Sequence, residues 1–264
     1  MKIGAYQFAV TGDVVNNTDL IIGAIRQAAE QQVRLLIFPE CALTGYPPYD
    51  IPNSSQIDDQ KVMESLTKIQ KAVEHADMYV IVGTIIKNDE EYHNSAVIIS
   101  PNNPMEMYHK RALFGWDADN FKPGIESGIF EIDGLKIGVR ICFEVRFPEF
   151  FRELYREHTD LNIILFYDVS DHDNIERYDL IKSHIRTRAV ENVCHTLTVD
   201  TIKPFQTAPT GLYDKSGRIL GELKRNESGL FVYELVVEEP NFGEQGRIDI
   251  SNRLLERAKE NYNE

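Results

Sequence analysis

The sequence predicts an α/β protein in which helices are layered on mixed sheets. Three observations lead to this class. Apolar runs at residues 33–38 and 161–166 have the length and composition of fully buried strands. Between such runs lie longer segments whose apolar residues recur every three to four positions, which is the period of an amphipathic helix. Residues 78–86 and 92–100 predict a hairpin, which adds antiparallel pairing to the sheet.

Length and composition are those of an ordinary globular chain. Of the 264 residues, 42% are hydrophobic, which excludes wholesale disorder, and we expect residues 1–264 to form a single domain. The net charge of −14 argues against a general nucleic-acid binder, which needs a basic surface to displace counterions. No segment approaches the roughly 20 apolar residues that span a bilayer. With only Cys41, Cys142 and Cys194, we expect reduced thiols and a cytoplasmic location.

The predicted strands are alternating segments or short apolar runs that end at turn-forming residues. Residues 2–8 alternate and stop before Thr11-Gly12-Asp13, which favours a first strand over a signal peptide, and residues 33–38 stop at Pro39. A later segment alternates from Leu135 and ends at Cys142. Further strands are predicted at 105–110, 161–166 and 195–201, and residues 211–237 predict a meander that turns at 215–217.

The predicted helices carry one apolar face each. In the first, Ile21 and Ile25 run beside Leu20 and Ala24, and in residues 58–76 the apolar positions are four residues or three residues apart. Pro148 opens another helix, because proline fits the first helical position. The apolar side of that helix consists of Phe150, Phe151, Leu154 and Tyr155. Helices are also predicted at 176–193 and 247–259, with loops at 41–53 and 111–128.

Three reactive side chains each stand just beyond a predicted strand, namely Glu40, Lys110 and Cys142. A strand end that opens into a loop is where α/β folds place their sites. Each residue alone has a simpler interpretation, as a solvated glutamate, a surface lysine or a small buried cysteine. Together they supply what a cysteine nucleophile needs: a base that removes the thiol proton and a cation that holds the oxyanion formed by the attack.

The blocks around these residues resemble the nitrilase (carbon–nitrogen hydrolase) superfamily, whose catalytic residues are Glu, Lys and Cys in this order. The resemblance covers nearly the whole chain, and its four blocks occur in the family order. The blocks are Phe38-Pro39-Glu40 with residues 43–48, Tyr108-His109-Lys110 with residues 121–124, the nucleophile block at 138–149, and the helix signature at 186–192.

This resemblance implies a four-layer αββα sandwich of the nitrilase type, commonly dimerised through the helices after the nucleophile, with neither a metal nor an organic cofactor. It makes Cys142 the nucleophile, Glu40 the general base, and Lys110 with the backbone N–H of Phe143 the oxyanion hole. A thioester on Cys142 is then the expected intermediate. The apolar side of the helix opened by Pro148 is a second reason to expect a homodimer or a higher homo-oligomer.

The chain departs from the family at two places. Asp117 stands where relatives have a second Glu, six residues before the Pro-Gly pair, and the role of that Glu could instead have passed to Asp119. Residues 167–173 also differ, and this segment faces the pocket in the family. We therefore expect Asp168 at the substrate, with Tyr46 either lining the pocket or packing. The three acids Asp168, Asp171 and Asp173 predict a cationic substrate, with a solvated acidic loop as the alternative.

The sequence as a whole predicts a hydrolase that cleaves a non-peptide C–N bond of a small amide or N-carbamoyl compound and releases ammonia or an amine. The segment Arg146-Phe147-Pro148-Glu149 looks amidase-like, whereas Cys142-Phe143-Glu144 is seen among nitrile-cleaving relatives. The alternatives are a nitrilase acting on a nitrile, a glutaminase-like module, and a catalytically silent interaction protein on the same scaffold. The expected partners are the small amide and water, with no nucleic acid and no membrane.

Overall fold

The strands and helices alternate along the chain as the sequence predicts. A computed structural model describes the backbone of residues 1–261 and the side chains of residues 1–257. The strands are β1 Lys2–Gln7, β2 Leu35–Ile37, β3 Tyr79–Asn88, β4 Glu91–Ile99, β5 Glu106–His109, β6 Ile129–Ile132, β7 Leu135–Ile141, β8 Leu161–Leu165, β9 Val169–Ser170, β10 His195–Val199, β11 Phe205–Gln206, β12 Gly211–Tyr213, β13 Ile219–Glu222 and β14 Gly229–Glu234. The helices are α1 Val14–Glu30, α2 Asp59–Ala76, α3 Trp116–Asn120, α4 Pro148–Arg156, α5 Ile175–Asn192 and α6 Phe242–Asn261.

Two sheets, each of six strands within the described residues, form the centre of the fold. The first has the order β14-β1-β2-β3-β4-β5 and the second the order β13-β12-β10-β8-β7-β6. The middle strands of each sheet are parallel, namely β1, β2 and β3 in the first sheet and β7, β8 and β10 in the second. Parallel strands bring their carboxyl ends to the same edge of a sheet, where α/β proteins bind their ligands.

Apolar side chains divide the fold into four layers. One cluster lies between the two sheets and includes Ile37 of the first sheet and Val139 of the second. A second cluster packs α1 and α2 on the first sheet, and a third packs α4 and α5 on the second. The layers are therefore helix, sheet, sheet, helix, and this confirms the predicted αββα sandwich.

The apolar side of α4 is already covered within one chain. Phe151 and Leu154 are fully buried, Tyr155 is buried, and Phe150 packs beside them. This face therefore belongs to the core of one chain, and it gives no separate reason to expect a dimer.

The last strand corrects the predicted meander. Strand β13 does pair with β12, but β14 crosses to the other sheet and pairs with β1 in the register Lys2↔Glu234. Phe231 of β14 thereby enters the core between the sheets. Local alternation predicts a strand without specifying its partner, which is why the sequence did not reveal this crossing. In the described part of the chain, no helix is both long and apolar enough to cross a bilayer.

Candidate active site

Lys110 is the centre of a buried polar cluster at the carboxyl ends of the strands. It follows β5, and its side chain is 1% exposed. The Nζ atom donates to Glu40 Oε1 at 2.8 Å and to Asp117 Oδ2 at 2.6 Å. Burial by itself lowers the pKa of a lysine, but the two carboxylates outweigh it and raise the pKa of Lys110 well above its usual range. The ammonium is therefore charged at any working pH.

Glu40 lies three residues beyond the end of β2 and is held on both carboxylate oxygens. In addition to Lys110, Asn94 Nδ2 donates to Oε1 at 2.7 Å, and the backbone N–H of Tyr167 donates to Oε2 at 2.8 Å. Burial raises the pKa of Glu40, and this increase exceeds the lowering caused by Lys110. A buried carboxylate with increased proton affinity has the character of a general base.

Gly83 makes room for the segment that carries Glu40. A Cβ at this position of β3 would lie 2.1 Å from the carbonyl oxygen of Pro39 and 2.6 Å from Glu40 Cα. Only a residue without a side chain allows the neighbouring strand to approach so closely. The location of Glu40 thus depends on a glycine 43 positions later in the sequence, because β2 and β3 are neighbours in the sheet.

Cys142 directly follows β7 in a backbone conformation that is uncommon for a residue with a side chain. Its φ is +43°, and it begins a short 3₁₀ helix, Cys142–Arg146. Such outliers persist only where the surrounding structure fixes them, and they cluster at functional sites. Here Glu144 provides that fixation. Its carboxylate accepts from Ile141 N at 2.7 Å and from Arg111 N at 2.8 Å, so it connects the turn of Cys142 to the residue that follows Lys110.

The surroundings of Cys142 favour the neutral thiol over the thiolate. Burial, together with the negative charge of Glu40, raises its pKa well above the ordinary cysteine value, although Lys110 opposes the shift. A thiolate therefore has to form together with proton transfer to a base. Glu40, the candidate base, accepts a hydrogen bond from the ammonium of Lys110, which would balance the new charge.

Asp117 completes the cluster from the loop between β5 and β6. The sequence predicts an irregular segment at 111–128, but the short helix α3 forms within it and turns Asp117 inward, where it is 4% exposed. Tyr46 donates its hydroxyl to Asp117 Oδ1 at 2.8 Å and also lines the pocket, so the two interpretations of Tyr46 are both realised. Asp119 lies on the exposed side of α3. Of the two candidate carboxylates, Asp117 is therefore the one that reaches Lys110.

A cavity of about 170 Å³ adjoins this cluster. Its wall includes Lys110, Asp117 and Cys142, and aromatic side chains form much of the remainder. The aromatic residues are Tyr46, Tyr49, Phe114, Trp116, Phe143 and Tyr167. An engineered cavity of about 150 Å³ binds benzene, so a cavity of this size accommodates a small organic molecule. The site is thus sized for a small substrate group.

Two groups of polar residues line or adjoin the cavity, and we name them by depth. The inner cluster consists of Glu40, Lys110, Asp117 and Cys142. The outer cluster consists of Asp168, Arg177 and Arg146, all of which line the same cavity. Arg177 is 41% exposed at its side chain, whereas Lys110 is 1% exposed.

The outer cluster does not form the anionic site that a cationic substrate would need. Asp168 lines the cavity as predicted, but Arg177 pairs with both of its oxygens, at 2.6 and 2.8 Å, and Thr207 donates its hydroxyl to it. Asp171 is exposed beside His172, and Asp173 pairs with Arg225. The three acids therefore share no site. Within the described residues, no group of three or more His, Cys, Asp or Glu side chains could hold a metal ion.

The other two cysteines, Cys41 and Cys194, do not line the cavity. Cys41 and Cys194 are buried and free, and burial raises the pKa of Cys194 to about 12. Sequence patterns did not identify Asn94, Gly83 or Arg177 as site residues. Asn94 lies in the polar first half of β4, beside His93 and Ser95, and all three residues become informative only when the neighbouring elements are known.

The family model for carbon-nitrogen hydrolases matches residues 2–239. The chain belongs to the carbon-nitrogen hydrolase family. This membership confirms the family that the sequence blocks predict. The solved amidase of Nesterenkonia sp. AN1 in complex with butyramide superimposes with a TM-score of 0.82 at 22% identity, over 98% of this chain and 96% of that one. At this level of sequence identity, the likeness shows that the two proteins share a fold.

Curated relatives of this hydrolase include amidases and a nitrilase. The 2-oxoglutaramate amidase of Bacillus subtilis is 26% identical over 78% of this chain and 79% of its own length. A protein of Pyrococcus abyssi named nitrilase is 27% identical over 67% of this chain, and the match spans 66% of its length. Both amide-cleaving and nitrile-cleaving proteins thus occur among the relatives.

Proposed function

We propose that this carbon-nitrogen hydrolase cleaves the C–N bond of a small amide through a thioester on Cys142. The observation that carries the proposal is the arrangement of one ammonium between two carboxylates, with a cysteine in the wall of the same small cavity. This arrangement supplies a nucleophile, a base and a cation without requiring any group from outside the chain.

The first half of the proposed reaction forms the thioester. Glu40 accepts the proton of the Cys142 thiol while the sulfur attacks the carbonyl carbon of the amide. The carbonyl oxygen becomes an oxyanion, which Lys110 and the backbone N–H of Phe143 stabilise. Glu40 then gives its proton to the nitrogen, the C–N bond breaks, and ammonia leaves.

The second half releases the acid. A water molecule gives a proton to Glu40 and attacks the thioester carbon, so that a second oxyanion forms at the same place. When the C–S bond breaks, the sulfur leaves and takes the proton back from Glu40, which restores the thiol. The balance is one amide and one water consumed, with one acid and one ammonia formed.

The elevated pKa values of the site support this order of steps. A thiol that is neutral at rest avoids a permanent third negative charge beside Glu40 and Asp117. A glutamate with raised pKa can accept the thiol proton without a large energetic penalty and can return it to the leaving nitrogen. Asp117 keeps Lys110 in place while Glu40 changes its protonation state.

A panel of small amides, ureido acids and nitriles, assayed for ammonia release, tests the proposal. We expect ammonia from at least one amide and none from the Cys142→Ala variant. Release from ureido acids alone would identify the N-carbamoyl branch, and release from nitriles alone would replace amide by nitrile as the substrate class. No release from any of them would contradict the enzymatic function and favour a silent interaction protein.

We also propose, on family resemblance, that the protein is a homodimer. Light scattering at micromolar concentration tests this directly. A mass near 60 kDa is expected, about twice the 30.3 kDa of one chain, and a monomeric mass would refute it.

A further inference from the structure

The charges around the cavity are distributed unequally between its two ends. In the inner cluster, the carboxylates of Glu40 and Asp117 surround the single ammonium of Lys110, which leaves one net negative charge when Glu40 is ionised. In the outer cluster, the two guanidinium groups exceed the single carboxylate of Asp168 by one positive charge. This positive end occurs in a chain whose net charge is −14.

Arg177 is oriented by its partner and still has donor capacity. Its Nε and Nη2 atoms donate to the two oxygens of Asp168, and among the described residues Nη1 has no hydrogen-bond acceptor. The pair is held from behind, because the backbone N–H of Asp168 donates to Asp200 Oδ1 at 2.9 Å. A guanidinium fixed on one edge presents its other edge in a defined direction, which suits a planar, two-oxygen acceptor.

Arg146 provides the second cation. Within the described residues, its guanidinium has no carboxylate within 4 Å, and it lies over the ring of Phe143, with Cζ 5.8 Å from the ring centroid. The buried Asp200 does not cancel these charges, since burial raises its pKa well above the ordinary range of an aspartate and favours the neutral form. The outer end therefore has one cation more than its anions can balance.

We propose that Arg177 and Arg146 bind a carboxylate at the end of the substrate opposite to the scissile amide, so that the preferred substrates are short amides that carry a carboxylate. This inference rests on the proposed amide hydrolysis and adds its substrate class. The charge asymmetry also orients such a molecule: the carboxylate is repelled by the inner cluster and attracted by the outer one, and the neutral amide is left beside Cys142. The cavity volume limits the chain between the two groups to a few carbons.

Ligand binding to a variant without the proposed nucleophile tests the carboxylate site independently of the reaction. The Cys142→Ala protein is titrated with succinamate, glutaramate, butyramide and 3-aminopropanamide. Binding is followed by the fluorescence of Trp116, the single tryptophan of the chain, which lines the cavity, and by calorimetry. One of the two acids should bind about ten- to a hundredfold more tightly than butyramide, as expected for one or two charge-assisted hydrogen bonds. The amine-bearing amide should bind least tightly.

Substitutions test whether Arg146 and Arg177 cause the tighter binding of carboxylate-bearing amides. In the same background, Arg146→Gln and the paired change Asp168→Asn with Arg177→Gln should each reduce the ratio of acid to butyramide affinity by tenfold or more. The paired change removes the ion pair as a unit, so no buried carboxylate is left without its partner. Arg26→Gln, which removes the same charge from helix α1, should leave the ratio unchanged. Thermal midpoints verify that each variant is folded, and Arg146→Gln alone decides the matter if the paired variant does not fold.

The outcomes are distinct from those of the amide panel. Equal affinities, tighter binding of butyramide or of the amine, or no binding of either acid would overturn the carboxylate site even if wild-type protein hydrolyses amides. An acid preference that survives both arginine substitutions would also overturn it and show that the Arg177–Asp168 pair is structural only. Failure of the amide panel together with tight acid binding would instead overturn the reaction and keep the binding site.

Discussion

The inner and outer clusters differ in which elements carry them and in how far their side chains are exposed. The inner cluster stands on the ends of β2, β5 and β7 and on α3, and the side chains of Glu40 and Lys110 are at most 1% exposed. The outer cluster comes from the segment after β8, the first turn of α5 and the end of the 3₁₀ helix that begins at Cys142, and its Arg177 side chain is 41% exposed. The difference teaches that the proposed chemistry lies on buried strand ends, whereas the proposed contacts to the far end of the substrate lie on more exposed segments beside them.

The largest effect is expected from Cys142→Ala. This change removes the nucleophile of the inner cluster, so turnover of any amide should fall to background while Tm stays near the wild-type value. The matched controls Cys41→Ala and Cys194→Ala should keep most of the activity, because both thiols are buried and neither lines the cavity. More than trace turnover by purified Cys142→Ala would show that the sulfur of Cys142 is not the nucleophile.

Glu40→Gln should reduce kcat/KM by about a hundred- to ten-thousandfold, the usual contribution of a general base. In the wild type, the base acts only when ionised, so activity must fall as pH drops through the pKa of Glu40. Because burial raises this pKa, the acid limb should lie above the ordinary range of a glutamate. An acid limb at an unperturbed glutamate pKa, or an unchanged limb in Glu40→Gln, would assign the base to another residue.

Gly83→Ala tests whether the inner cluster depends on its backbone. The added methyl group would displace the segment of Pro39 and Glu40, and a shift near 1 Å can reduce the rate about a hundredfold. Gly23→Ala in α1 is the matched control, since a Cβ there meets no atom within 4 Å, and it should leave the rate unchanged. Full activity of Gly83→Ala would mean that Glu40 needs no such support.

Asp117→Ala should lower kcat at least tenfold, which corresponds to about 1.4 kcal/mol of transition-state stabilisation. The reason is that Lys110 loses the carboxylate 2.6 Å from its Nζ. Asp119→Ala, on the exposed side of α3, should have little effect, and Tyr46→Phe should fall between the two because it removes only a hydrogen bond to Asp117. Steady-state kinetics on one amide compares all three, and a large loss in Asp119→Ala alone would show that the wrong carboxylate is assigned.

The same contrast explains what the sequence could reveal. The strand ends before Glu40 and Cys142 follow from short apolar runs and turn formers, which are local signals, and the order of the blocks identifies the family. The close approach of Gly83 and the pairing of Asp168 with Arg177 arise only after neighbouring elements are placed. An acidic run in the sequence predicts a negative site, but Arg177, nine residues later, pairs with Asp168 and neutralises it.

The central claim is that the inner cluster forms a covalent bond to its substrate at Cys142. Rapid quenching of the wild-type protein during turnover of a small amide, followed by intact-mass and peptide analysis, tests it directly. The account predicts a mass increase equal to the amide minus ammonia, located on the peptide that contains Cys142 and missing in Cys142→Ala. Turnover without an adduct at any quench time, or an adduct on a different residue, would contradict it.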